Sequence, residues 1–172
     1  MTTPEQFSGR ARVLGDDINT DYLISSSRKK ETLDAKVLSR YLLEDLDPAF
    51  AGSVAAGDIL VAGRNFGCGS AMEVAVTVVL GAGIQAVVAR SFARTYWRNA
   101  INNGLLLLEA DTSVIAEGAQ LRVSLAGAQP VIAVGGGEKA QQLACAPVAA
   151  FVLAMRNAGG LVPYLRHHRS LA

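Results

Sequence analysis

Apolar and polar positions change period several times along this chain. Asp58–Ala62, Ala86–Ala89 and Leu105–Glu109 are short apolar runs, and their length and branched side chains predict buried strands. Arg12–Leu14 is a shorter apolar entry of the same kind. Thr32 to Leu46 carries helical periodicity, with Leu33, Val37, Leu38, Tyr41 and Leu42 on one face and Asp47-Pro48 as its end. Ala71 to Leu80 predicts a helix that Gly81 and Gly83 stop, and Phe92 to Asn102 a second that Asn103-Gly104 stops. Gln120–Leu125 and Val131–Val134 form a β pair across Gly127-Ala128-Gln129-Pro130, and Val148–Asn157 is a final helix closed by Gly159-Gly160. The central order β-loop-α-β-α-β demands an α/β layered domain with helices on the sheet. Residues 1–172 read as a single domain without internal repeats, and the basic tail Leu165–Ala172 is expected to be mobile.

Composition narrows the function. The 172 residues are 51% hydrophobic and 18% charged, with a formal net charge of +1, so the chain is globular and lacks the basic face of a nucleic-acid binder. No apolar run is long enough to span a membrane, and Met1 to Arg12 has no apolar core for a signal peptide, which points to the cytoplasm. Cys68 and Cys145 are far apart and belong to no CxxC pair. An iron–sulfur cluster normally takes three or four cysteine ligands, so this chain cannot hold one alone.

The strand, glycine loop and helix at residues 59–80 carry the clearest chemistry. Gly67 and Gly69 free the backbone for close approach to a ligand, and Ser70 follows at the start of the expected helix. A helix N-terminus favours an anion there, including a serine alkoxide. The plain alternative is an N-cap serine on a tight turn. Gly69 stands where a P-loop needs lysine, and Met72 where a dinucleotide fingerprint needs its third glycine.

Asn65-Phe66-Gly67-Cys68-Gly69-Ser70 is followed by Ala89-Arg90-Ser91-Phe92-Ala93-Arg94 and by Arg98-Asn99-Ala100-Ile101-Asn102-Asn103-Gly104-Leu105. Upstream stands Gly15-Asp16-Asp17-Ile18-Asn19-Thr20-Asp21, and downstream Asn157-Ala158-Gly159-Gly160-Leu161-Val162-Pro163-Tyr164. Together, in order and at fitting spacing, these segments resemble the swivel domain of the aconitase superfamily, and most closely the small-subunit family of the 3-isopropylmalate dehydratases. The resemblance implies an aconitase-swivel-type β/β/α fold with a central mixed sheet flanked by helices. It implies a hydro-lyase that dehydrates and rehydrates a malate-type hydroxy acid. A partner large subunit would carry a [4Fe–4S] cluster, with no cofactor on this chain alone. Ser70 falls on the family's catalytic base and Asp21 on an active-site acid, whose alternative reading is a capping aspartate.

Two departures stand out against that pattern. Met72 replaces an arginine that the family uses to hold a substrate carboxylate, so either another cation serves or the substrate presents an apolar group. Ser25 replaces a proline, and Lys30, counted without gaps, takes the arginine-like place in the substrate-reading loop, with Arg28 two residues earlier. A solvated charge cluster is the alternative for Arg28-Lys29-Lys30. Arg94 and Arg98 share one helix face, and Arg94 helps shape the anion site or lies at a surface or subunit interface. Trp97 and Phe92 are expected in the core. A non-catalytic carboxylate-binding or assembly module of the same fold is the competing functional class. Neither class involves nucleic acid or a membrane.

Overall fold

The computed structural model describes residues 5–168 apart from 128 and 138. In chain order the elements are β1 (Gln6–Val13), α1 (Thr20–Leu23), α2 (Ala35–Leu38), α3 (Phe50–Ser53), β2 (Ile59–Ala62), α4 (Val74–Gly81) and β3 (Ala86–Ala89). Then follow α5 (Arg94–Asn102), β4 (Leu106–Glu109), β5 (Gln120–Ser124), β6 (Val131–Val134), β7 (Gln141–Ala144), α6 (Ala150–Ala158) and α7 (Leu161–His168).

One seven-stranded sheet runs in the order β4-β3-β2-β1-β5-β6-β7. β1 to β4 are mutually parallel, and β5, β6 and β7 continue antiparallel from the other edge of β1. Parallel strands must be covered on both faces, and β2 and β3 are buried at every residue. Leu60, Ala62, Val87 and Ala89 point to the side where Ala75, Val76 and Val79 of α4 pack. Ile59, Val61, Ala86 and Val88 point the other way, against Leu121, Val123 and Ile132. The antiparallel half thus curls over the second face of the parallel half as a half-barrel. The mixed sheet with flanking helices is the fold the sequence predicts.

Several boundaries differ from the sequence reading. β1 begins at Gln6 rather than Arg12, because its polar residues alternate with buried Phe7 and Ala11 while the backbone pairs with β5. The expected helix over residues 32–46 is only α2 and a 3₁₀ turn at Ser39–Tyr41. Leu33 lies outside it with 76% of its surface exposed. Leu42, with φ −55° and ψ 121°, and Leu43, with φ +60°, both leave the helix and are buried in the core that α4 packs into. α4 starts at Val74, three residues later than expected, and it includes Gly81 rather than stopping there. Gly81 serves close packing, since a Cβ would strike the main-chain carbonyl of Ala35, and Gly83, with φ +82°, makes the stop. Trp97 is 39% exposed rather than core. Residues 165–168 complete α7, and 169–172 lie outside the described residues, as does Ala128 of the turn expected between β5 and β6.

Candidate active site

Ligands of open parallel sheets bind beyond the carboxyl ends of the strands. Here three loops leave the carboxyl ends of β1, β2 and β3 and bond to one another through their backbones. The first two meet where Gly67 N–H donates to the Ile18 carbonyl and Thr20 N–H to that of Cys68, each at 2.8 Å. Asp16 accepts from Arg64 N–H at 2.7 Å, and that donation, with the Arg64 charge, holds its carboxyl below the usual range against the cost of desolvation. The third loop joins when Phe66 N–H donates to the Ser91 carbonyl and Ala93 N–H to that of Phe66.

The glycines explain how the second loop fits. Gly67 has φ +79° and would drive a Cβ into the Tyr96 ring, and Gly69 has φ +94° and would strike the Asn19 side chain. Both demands select glycine over any L-residue. Behind them Phe66 packs edge-on against Tyr96, with ring centroids 5.2 Å apart, so the loop rests on a rigid aromatic floor.

Ser70 lies on this loop, exposed, four residues ahead of Val74. It is not the N-cap of α4, whose capping position is Glu73. The turn leading to the helix is closed instead by Met72 N–H on the Ser70 carbonyl at 2.9 Å, and the Thr20 hydroxyl donates to that same carbonyl at 2.9 Å. Ser70 is therefore pinned through its backbone. Its hydroxyl has no hydrogen-bond partner among the described residues.

Asp21 sits next to Thr20 in the first turn of α1. It is not the cap: the Asn19 side chain accepts from Asp21 N–H at 2.9 Å and fills that role. The Asp21 carboxylate accepts the Ser26 hydroxyl at 3.1 Å. α1 thus joins the Asp21 loop to the Ser70 loop through consecutive residues Thr20 and Asp21.

The basic run at residues 28–30 divides by partner. Arg28 is spent on structure: it grips Glu44 with two bonds, at 2.8 and 3.0 Å, and stacks 3.9 Å over the Tyr41 ring. Those partners raise its pKa further, chiefly through the Glu44 hydrogen bond. Lys30 is exposed. Lys29, which sequence reasoning passed over, is half-buried and points its ammonium at the Met72 sulfur, 3.3 Å away. Asn19 and Thr20, the fastener of the two loops, were also missed, although an asparagine ahead of a short helix is a recognisable cap signal.

A family model for the aconitase C-terminal domain matches residues 26–113. The 3-isopropylmalate dehydratase small subunit of Nitratidesulfovibrio vulgaris is 42% identical over 163 residues, spanning 94% of this chain and 95% of the relative. That of Moorella thermoacetica is 42% identical over 159 residues, 91% and 93% of the two chains. The chain belongs to the small-subunit family of these dehydratases. A crystal structure of 3-isopropylmalate dehydratase from Methanocaldococcus jannaschii superposes with a TM-score of 0.86 at 37% identity, covering 95% of each chain. In family terms the chain is a hydro-lyase small subunit of the aconitase superfamily.

Of the remaining candidates, Arg94 falls outside the three-loop cluster, whereas Cys68 lies within it. Arg94 opens α5 and lines a shallow cavity of about 340 Å³ with Phe92, Trp97, Arg98 and Glu109, to which neither Ser70 nor Asp21 contributes. Cys68 is a free thiol pushed up by burial and by the nearby Asp17 charge, the opposite of an activated nucleophile. Burial likewise lifts Cys145 to about 11. Among the described residues no three His, Cys, Asp or Glu side chains converge on a point that could hold a metal ion. The donor set of this chain does not fit an iron–sulfur cluster. No helix among the described residues is long and apolar enough to cross a membrane.

Proposed function

We propose that this chain is the cytoplasmic, base-supplying subunit of a two-subunit hydro-lyase acting on a malate-type hydroxy diacid of the 3-isopropylmalate class. Ser70 carries the reading. Its hydroxyl is exposed and has no partner among the described residues, while its carbonyl is held by two hydrogen bonds, from Met72 N–H and the Thr20 hydroxyl. A general base must be placed accurately and left free to take a proton.

In the proposed step deprotonated Ser70 removes a proton from the carbon next to a substrate carboxylate. The C–H electrons form the alkene as the neighbouring C–O bond breaks, and Asp21 delivers the proton with which the hydroxyl leaves as water. Reversal with the alkene turned over returns the hydroxyl to the adjacent carbon. Lys30 reads a substrate carboxylate from the rim. Gly67 and Gly69 admit the substrate close to the backbone. Arg28 holds the rim loop in place, and Arg94 stands at its cavity to meet the partner subunit. We assign the [4Fe–4S] cluster that the family implies to the large subunit.

The test is co-expression with a cluster-bearing large subunit, followed by an alkene-absorbance assay over a panel of 2- and 3-hydroxy diacids. Ser70→Ala should lower the rate roughly 100- to 10,000-fold, the scale of general-base catalysis, while assembly and unfolding midpoint stay unchanged. A Ser70→Ala complex that keeps a third of the wild-type rate would falsify the assignment.

A further inference from the structure

We infer that Lys29 is the specificity-determining cation of this site: its ammonium, held against Met72, receives one carboxylate of the substrate beside Ser70. The inference rests on the proposed diacid site and adds the residue that recognises the acid. Lys29 Nζ lies 3.3 Å from Met72 Sδ, across 43 residues of sequence. Met72 is buried, and its N–H closes the turn on the Ser70 carbonyl, so the ammonium is delivered to the same turn that presents the Ser70 hydroxyl.

A thioether is a weak acceptor, and an ammonium carries three donors. One such contact leaves most of the ammonium's donors without a protein partner among the described residues. The acids on its own loop do not serve it. Glu44 is gripped by Arg28 at 2.8 Å, and Glu31 lies 3.7 Å from the same guanidinium. Among the described residues no carboxylate pairs with Lys29 within ion-pair distance.

The position is also built rather than loose. Lys29 is the middle residue of a 3₁₀ turn, Arg28–Lys30, anchored at one side by the two bonds to Glu44 and by the Tyr41 ring. A half-buried cation without a counter-charge is unfavourable until an anion arrives, and that difference is the driving force for selective binding. Lys30 is exposed on the same turn and adds to the rim field without reaching Met72.

Binding to the assembled complex, read by calorimetry without turnover, tests this. The probe is 2-isopropylsuccinate, a diacid with no hydroxyl to lose, together with its two half-amides. Wild type should bind the diacid more tightly than one of the half-amides. Lys29→Met should weaken the diacid roughly 10- to 100-fold, the scale of one charged hydrogen bond, and abolish that preference. Lys29→Gln guards against a folding defect in the first variant and should behave alike, whereas Lys29→Arg should stay within about threefold of wild type. The inference is overturned if Lys29→Met and Lys29→Gln bind the diacid as wild type does. Equal weakening of the diacid and both half-amides also overturns it, since that marks a structural role, as does a wild type indifferent to the second carboxylate. Lys29-dependent binding in a complex that dehydrates none of the hydroxy diacids would retain this inference and remove the proposed reaction.

Discussion

The Thr20 hydroxyl donates to the Ser70 main-chain carbonyl at 2.9 Å, fastening two loops that lie 50 residues apart in sequence. Thr20 is buried and shape-matched by valine, so Thr20→Val removes the bond while keeping the volume. The cost in stability should be about 1 kcal/mol, the net worth of one neutral hydrogen bond. The rate of the assembled enzyme should fall by roughly tenfold or more, because small misplacement of a reacting group is costly. Urea unfolding and initial rates, measured on the same preparation, check both halves; a rate loss no greater than the stability loss explains would separate Thr20 from the placement of Ser70.

Gly67 should tolerate no side chain. Gly67→Ala combines a left-handed φ of +79° with a collision at the Tyr96 ring. About 1–2 kcal/mol of backbone strain and about 1–3 kcal/mol of overpacking should lower the urea midpoint clearly. Gly118→Ala is the control: its φ is +76°, but nothing lies within 4 Å of the new Cβ, so only the backbone part should be seen. Equal losses at the two sites would show that the Tyr96 floor yields.

Acid should destabilise the fold through Asp58. Burial works to raise its pKa, but hydrogen bonds from Arg10 and from Ala55 N–H, with the charges of Arg10 and Arg12, outweigh it and hold the carboxyl below its ordinary 3.8. The folded state then binds fewer protons than the unfolded one in this range. The contribution is present above about pH 4 and is lost as pH falls through the depressed value. Its side chain is only 4% exposed. Asp58→Asn should therefore cost about 1–3 kcal/mol at pH 7, the scale of a hydrogen bond to a charged group, and should flatten the stability profile below pH 4. Unfolding midpoints between pH 2.5 and 7 decide it.

Arg28 and Lys30 should part company when each is changed to alanine. Arg28→Ala releases Glu44 and the Tyr41 ring, so the loop should become protease-sensitive between residues 25 and 31, and Glu44→Gln should reproduce that in part. Lys30→Ala should leave proteolysis unchanged and raise KM by roughly 3- to 10-fold with little change in kcat, as for loss of uniform binding at an exposed site. Limited proteolysis beside steady-state kinetics makes the comparison, and identical proteolysis patterns for the two variants would refute the division of labour.

Much of this protein is local and could be read from sequence alone. The apolar runs of β2, β3 and β4 are too short for helices and too uniformly apolar for surface strands, so burial between two layers was their one stable use. Gly67 and Gly69 likewise announced a tight loop at the carboxyl end of β2, with Ser70 on it, because a side chain at either place would meet strain. What the tertiary structure alone decided was which residues face one another. The helical pattern over residues 32–46 was spent on packing Leu38, Leu42 and Leu43 into the core that α4 packs into, which bends the chain out of helix and leaves Leu33 in solvent. β7, an edge strand with three of its four residues exposed, has almost no apolar signal and exists through its backbone pairing with β6. The three adjacent cations at residues 28–30 are chemically similar in sequence, yet the fold gives Arg28 a carboxylate and a ring, Lys29 a thioether and Lys30 water. Periodicity reports how far a residue is from the core; it does not report what stands opposite, and partners 16 and 43 residues away are set only when the loops dock.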